Sequence, residues 1–140
     1  MRARVLLDTG PLVAFLNRRD RFHAWVLGEM NEVEPPLLTC EAVLSEACFL
    51  LRHDPAGPAA VLALLDEGLL EIGFDVQAEI KPLRQLLRRY RETRISLADA
   101  CLVRMAELVA DGVLLTLDSD FRIYRMHGRQ VIPARMPPPS

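Results

Sequence analysis

Short, almost uninterrupted apolar runs are the feature that most constrains how this chain of 140 residues can fold. They predict strands over residues 4–8, 37–39, 69–74 and 113–117. Runs of this length without polar alternation are typical of parallel strands that are buried on both faces of a sheet. Segments of helical periodicity separate them. The alternation therefore predicts an α/β fold, a parallel sheet with helices on both faces.

The remaining elements follow from helical spacing and from breaker residues. A fifth, edge strand is predicted over residues 130–132, and a turn or short helix over 118–124. No repeat or linker divides the chain. We expect one domain over residues 1–133 and a proline-rich C-terminal tail over 134–140. The predicted helices cover residues 11–17, 21–32, 41–52, 59–67, 76–91 and 96–110.

Composition sets the class of protein. Apolar residues make up 51% and charged residues 26%, as in a globular domain with a real core. No apolar stretch reaches the roughly 20 residues that span a bilayer, so no membrane association is expected. Three cysteines occur without a CxxC pair, which indicates buried thiols in a reducing compartment and predicts a cytoplasmic protein.

Two aspartates lie where predicted strands end. Asp8 follows the first strand, and Asp118 stands in the same relation to the fourth. Each could simply begin a turn or cap a helix, since aspartate is favoured at both places. In parallel sheets, however, functional sites form beyond the carboxyl ends of the strands, where the strand order reverses. Both carboxylates are therefore candidates for a site.

Two further acids lie on helix faces with apolar neighbours. Glu46 has apolar residues three and four positions away on both sides, which predicts that it points toward the core or its margin. A salt bridge to an arginine is the alternative reason for such a position. Asp99 follows Ser96 by three residues, a pattern typical of helix N-termini, yet its helical neighbours are also apolar. A capping role and a site role are compatible there.

Four carboxylates in one half-buried pocket would repel one another without a counter-charge. A divalent cation solves this problem, and oxygen ligands favour Mg²⁺ or Mn²⁺ over zinc. Such a cation activates water and balances charge on a phosphate, which is the chemistry of phosphodiester hydrolysis. We expect Asp8 and Asp99 to hold the principal metal, and Asp118, together with Glu46, to complete the pocket or bind a second ion through water.

The segments VLLDTGPLVAFL, SEACFLL, SLADA and LLTLDSDF occur in an order that resembles the PIN-domain family, most closely its VapC-type ribonuclease toxins. The resemblance spans nearly the whole chain. It implies a three-layer α/β/α sandwich around a central parallel sheet of about five strands, and a metal-dependent endoribonuclease. Its matched residues are the acids Asp8, Glu46, Asp99 and Asp118, with Thr9, Thr116 and Asp120 in auxiliary positions.

The resemblance also implies partners. It implies a homodimer, a small antitoxin protein that blocks the site, and RNA (tRNA, rRNA or mRNA) as the substrate class. Arg84, Arg88 and Arg91 share one predicted helix face and are candidate phosphate contacts, with Tyr90 as a possible stacking ring. A solvated helix face explains the same arginines.

Other functions fit parts of this pattern. A PIN-domain nuclease that processes RNA without an antitoxin would carry the same acids. A non-catalytic α/β interaction module would carry them incidentally. A phosphatase with Asp8 as nucleophile would need a second aspartate two positions on, where this chain has Gly10.

Overall fold

The computed structural model describes residues 4–139. Its helices are α1 (Thr9–Leu16), α2 (His23–Glu32), α3 (Glu41–Leu50), α4 (Gly57–Asp66), α5 (Ile80–Arg89) and α6 (Leu97–Leu108). Its strands are β1 (Arg4–Leu7), β2 (Leu37–Thr39), β3 (Leu70–Ile72), β4 (Gly112–Leu115), β5 (Arg125–Met126), β6 (Gln130–Val131) and β7 (Ala134–Arg135). One turn of 3-10 helix, Ser119–Arg122, follows β4.

Within residues 4–139, five of the strands form one parallel sheet in the order β3-β2-β1-β4-β7. After β1 the chain adds β2 and β3 on one side and then returns to place β4 on the other side. Leu7 of β1 pairs with Leu115 of β4, so the two strands end at the same level. The strand order reverses at this pair, which makes their carboxyl ends the expected place for a site.

The centre of the sheet is covered on both faces. Leu6 and Leu7 of β1 and Leu114 and Leu115 of β4 have no exposed surface. This double burial explains why the strands read as continuous apolar runs. The predicted α/β fold with a parallel sheet between helix layers is confirmed. Within the described chain the longest helix, α6, has 12 residues, and no helix could cross a bilayer.

The fifth strand of the sheet does not lie where the sequence places it. Residues 130–132 were expected at the sheet edge, but β6 instead pairs antiparallel with β5 in a separate hairpin. The turn between them holds His127 and Gly128 at positive φ, which reverses the chain. The edge position is taken by β7, beside β4. The predicted tail over 134–140 thus begins with a strand of the sheet.

Helix α5 is shorter than the predicted 76–91. At its start the carboxylate of Asp75 accepts hydrogen bonds from the backbone N–H groups of Gln77 and Ala78, which holds a turn there. At its end Tyr90 is buried and anchors the chain as it leaves the helix. Helical structure consequently ends at Arg89.

Candidate active site

Strand β1 delivers Asp8 to the carboxyl end of the sheet. The backbone N–H of Asp8 donates to the carbonyl of Leu115 at 3.1 Å, which extends the pairing of β1 and β4 by one step. Asp8 is also the N-cap of α1, and only 6% of its surface is exposed. Its backbone is therefore fixed by a strand on one side and a helix on the other.

Two hydrogen bonds fix the carboxylate of Asp8. Its Oδ1 accepts from the backbone N–H of Thr9 at 2.7 Å, and its Oδ2 accepts from the Thr116 hydroxyl at 2.6 Å. The same hydroxyl oxygen accepts from the backbone N–H of Asp118 at 3.0 Å. Thr116 is fully buried. One hydroxyl therefore ties the two aspartates at the strand ends together.

Asp118 begins the short 3-10 helix. It is half-buried, and its Oδ1 accepts from the backbone N–H of Asp120 at 2.9 Å. The side chain of Asp120 is exposed and does not line the acidic cleft described below. Asp120 thus contributes its backbone to the position of Asp118.

Asp99 lies in the first turn of α6. Its backbone N–H donates to the hydroxyl of Ser96 at 3.0 Å, so the predicted cap is present. The neighbouring Leu102 is fully buried, which turns the Asp99 side chain inward and leaves it half-buried. The Tyr124 hydroxyl donates to Asp99 Oδ2 at 3.4 Å.

Glu46 was predicted to point toward the core or its margin, and of these two positions the structure gives it the margin. Glu46 is exposed, because the residues assumed to be inward on its helix face, Phe49 and Leu50, are themselves 60% and 52% exposed. The alternative salt bridge is also absent among the ion pairs of the described residues. Glu46 instead lies at the rim of the acidic cleft.

The four acids line one cleft of about 410 Å³. We call it the acidic cleft: Asp8, Glu46, Asp99 and Asp118. No lysine, arginine or histidine of the described chain lines it, and none of these acids has an ion-pair partner there. The cleft therefore concentrates negative charge without a counter-charge from the protein.

This charge affects the two most enclosed acids. Burial raises the pKa of Asp8 to about 6, and the nearby Asp118 and Glu46 add to the effect against the hydrogen bonds from Thr116 and Thr9. Burial likewise raises the pKa of Asp99 to about 7, and the charges of Asp8, Asp118 and Glu46 raise it further. The four acids therefore lie close enough for their charges to raise the pKa values of Asp8 and Asp99.

Two residues at the start of α1 shape the wall of the cleft. The Thr9 hydroxyl is buried and has no hydrogen-bond partner among the described residues, so only the Thr9 backbone supports Asp8. A Cβ on Gly10 would lie 3.3 Å from the side chain of Leu117. The absence of a side chain lets the first turn of α1 approach the segment after β4.

The arginines predicted to bind RNA lie outside the acidic cleft. Arg84 and Arg88 are exposed on α5, but Arg91 follows the end of the helix, so the predicted shared face does not include it. The expected stacking role of Tyr90 is wrong. Tyr90 is buried edge-to-face against Tyr124, and its hydroxyl accepts from the backbone N–H of Arg125 at 2.8 Å.

Sequence reasoning missed Tyr124. It lies 25 residues from Asp99 in the chain, is 99% buried, and adds a hydroxyl donor to the acidic cleft. An aromatic residue after a short polar turn carries no local signal of this role. The contact depends on tertiary packing that brings the segment after the 3-10 helix to the start of α6.

Fold and site together define a class: a parallel α/β domain with an acidic cleft where its central strand order reverses. The chain belongs to the PIN domain family, whose sequence model matches residues 5–125. The chain is also similar to Ribonuclease VapC26 of Mycobacterium tuberculosis (strain ATCC 25618 / H37Rv). The two are 29% identical over 116 residues, which cover 81% of this chain and 86% of that protein. The predicted resemblance to VapC-type members of the family is confirmed.

Proposed function

We propose that this chain is a metal-dependent endoribonuclease that hydrolyses RNA phosphodiester bonds and acts as the toxin of a toxin–antitoxin pair. The observation that carries the proposal is the acidic cleft, where four carboxylates meet without a basic residue of the described chain among them. Similarity to a protein named Ribonuclease VapC26 over most of both chains supports RNA as the substrate.

The residues of the acidic cleft suit a hydrated divalent cation. Among residues 4–139, no three side chains of histidine, cysteine, aspartate or glutamate converge into a ready-made ligand cluster. Mg²⁺ does not need one, because it keeps several waters and is commonly held by one or two carboxylates. The unpartnered, buried Thr9 hydroxyl and the raised pKa values of Asp8 and Asp99 both show oxygen donors that a bound cation would stabilise.

Each residue then has a defined task. Asp8 and Asp99 would hold the principal Mg²⁺ or Mn²⁺, and Asp118 and Glu46, which line the same cleft, would complete its shell. When bound, the cation supplies a water of lowered pKa and balances the charge of the phosphate. Thr116 and the Thr9 N–H keep Asp8 oriented, and Tyr124 keeps Asp99 oriented.

RNA must approach a cleft that is itself negative. Arg84, Arg88 and Arg91 are exposed, and none has an ion-pair partner among the described residues, so they are available to phosphates. Arginine binds phosphate through a planar fork of donors. Toxin function further implies a homodimer, cytoplasmic location and a small antitoxin protein that covers the acidic cleft.

The nuclease activity is tested by incubating the purified chain, free of any antitoxin, with total cellular RNA. We expect cleavage with Mg²⁺ or Mn²⁺, none with chelator, and none for Asp99→Asn. Glu71→Gln, an exposed acid on β3, is the matched control and should cleave like the parent. Intact RNA under both metals would contradict the nuclease function and favour an interaction module.

The toxin assignment needs a separate test. Where a small open reading frame lies immediately upstream of the gene for this chain, its product is co-expressed with the chain, and the mixture is assayed for RNA cleavage. Binding with loss of cleavage supports a toxin–antitoxin pair. Cleavage that persists, with no complex formed, would instead identify an RNA-processing nuclease. Light scattering on the free chain tests the homodimer.

A further inference from the structure

A second cavity, of about 650 Å³, lies between the ends of two helices. We call it the arginine groove. One wall is the end of α1 with Arg18 and Arg19, and the other is the end of α3 with Leu50 and His53. No sequence motif marks this region, and the proposed nuclease centre does not include it.

The arginine groove is cationic and its charges are free. Arg18 and Arg19 are exposed, and neither has an ion-pair partner among the described residues. The backbone N–H of Arg19 donates to Asn17 Oδ1 at 3.1 Å, which fixes the turn that presents both arginines. The one acid of the lining, Asp54, already accepts from the backbone N–H of Ala56.

Arg52 is nearby but is engaged elsewhere. Its guanidinium lies 3.9 Å from the centre of the Phe49 ring, and its Nη1 donates to the Phe49 carbonyl at 2.8 Å. Arg18 and Arg19 are thus the cations that the groove offers to a ligand, and His53 adds a ring nitrogen.

The arginine groove is continuous with the acidic cleft. Leu50 lines both cavities, and it lies one helical turn after Glu46 on the same face of α3. On the opposite wall, the eight residues of α1 run about 12 Å from Asp8 to the groove. A chain of phosphates whose reacting bond lies in the acidic cleft would pass these arginines next.

We propose that the arginine groove binds the RNA strand beside the scissile phosphate, with Arg18 and Arg19 contacting its backbone phosphates. This inference rests on the proposed ribonuclease function. The proposal gives the RNA path a direction along α1. The scissile phosphate lies in the acidic cleft at the start of α1, and the neighbouring phosphates contact the arginines at its end. Contacts of this kind position a strand without reading its sequence.

The test measures binding of a short, fluorescently labelled single-stranded RNA of random sequence to the full chain in chelator, by anisotropy at several salt concentrations. For the double variant Arg18→Ala/Arg19→Ala we expect the Kd to rise roughly threefold to tenfold. The slope of log Kd against log salt should fall by about 1.4, or about 0.7 per lost phosphate contact. Arg18→Lys/Arg19→Lys keeps both charges and should retain most of the affinity.

Arg4→Ala is the matched control, because Arg4 is an exposed arginine at the opposite end of β1. It should leave both the Kd and the slope unchanged. A double alanine variant that binds like Arg4→Ala overturns the proposal. The proposal is also overturned by a double alanine variant that keeps RNA binding but no longer binds the product of an adjoining small open reading frame, since the groove would then be a protein-docking surface.

Cleavage separates this proposal from the one on which it rests. A parent chain that binds RNA through Arg18 and Arg19, but cleaves none with Mg²⁺ or Mn²⁺, would refute the nuclease while the groove stands. A parent that cleaves, with a double variant of equal kcat/KM and Kd, would refute the groove while the nuclease stands.

Discussion

The Thr116 hydroxyl donates to Asp8 Oδ2 at 2.6 Å, across 108 residues of sequence. The same oxygen accepts from the backbone N–H of Asp118. Thr116 follows β4 and Asp8 follows β1, so the two hydrogen bonds of Thr116 link the ends of the paired strands. They thereby fix the position of Asp8 relative to Asp118. A change at Thr116 should therefore disturb both acids without removing either.

Thr116→Val keeps the shape of the side chain and removes the hydroxyl. Asp8, which is buried, loses a donor, and the partly buried N–H of Asp118 loses its acceptor. Supporting residues of this kind typically contribute about 10- to 100-fold to metal affinity or activity, and we expect RNA cleavage to fall in that range. The free energy of unfolding should fall by about 1–3 kcal/mol, the cost of an unsatisfied buried group.

Thr39→Val provides the control for this variant. Thr39 is equally buried on the neighbouring strand, and its hydroxyl donates to the Leu7 carbonyl at 3.0 Å rather than to an acid. It should lose about 0.5–1.5 kcal/mol of stability and keep its cleavage rate. Equal loss of activity in both variants would show that Thr116 acts through stability alone.

The position of Asp8 and Asp118 could be predicted because strand ends are local features. An apolar run fixes the strand, and parallel pairing brings the two ends together without further information. Asp99 could be predicted for a similar reason, since its cap and its helix face are both readable within one turn. The positions of these three residues follow from the order of the elements along the chain and from the periodicity of apolar residues within each element.

The features that the sequence did not predict correctly depend on contacts between elements that lie far apart in the chain. The sequence could not decide whether Glu46 points toward the core or its margin, because it does not show that the neighbouring Phe49 and Leu50 are exposed. The edge strand was placed four residues early, because nothing in the sequence distinguishes pairing in a hairpin from pairing in the main sheet. Tyr124 reaches Asp99 only through tertiary packing. Contacts between distant elements decide these features.

Stability of the metal-free chain should fall as pH rises. The pKa of Asp8 is about 6 and that of Asp99 about 7 in the folded protein, against 3.8 for an ordinary aspartate. Between these values the folded state binds more protons than the unfolded chain, so each proton lost costs folding free energy. We expect denaturant unfolding in chelator to show a declining stability from about pH 4 to about pH 7. Stability that increases across this interval would contradict the assignment.

Removal of one negative charge should stabilise the metal-free chain. Asp99→Asn relieves the repulsion from Asp8, Asp118 and Glu46, so its Tm in chelator should exceed that of the parent by a few degrees. Mn²⁺ should raise the Tm of the parent and leave that of the variant nearly unchanged. Calorimetry checks both, with Glu71→Gln as the control that responds to Mn²⁺ like the parent. A variant destabilised in chelator would mean that Asp99 is not repelled.

Tyr124→Phe isolates the hydroxyl that faces Asp99. The phenylalanine ring keeps the edge-to-face packing on Tyr90 and Phe121, at 5.0 and 5.3 Å between ring centres. Only the hydrogen bond to Asp99 Oδ2 is lost, which should cost about 0.5–1.5 kcal/mol of stability. Because the carboxylate is then free to rotate, we expect the Kd for Mn²⁺ to rise by up to about tenfold.

Tyr90→Phe is the control that shows whether weaker Mn²⁺ binding comes from a loss of Asp99 orientation or from altered packing of the aromatic cluster. Tyr90 belongs to the same buried aromatic cluster, and its hydroxyl accepts from the backbone of Arg125 without contacting an acid. The two variants should lose similar stability, but only Tyr124→Phe should bind Mn²⁺ more weakly when titrated by calorimetry. If both bind Mn²⁺ like the parent, Asp99 is oriented by α6 alone, and the aromatic cluster supports the fold rather than the acidic cleft.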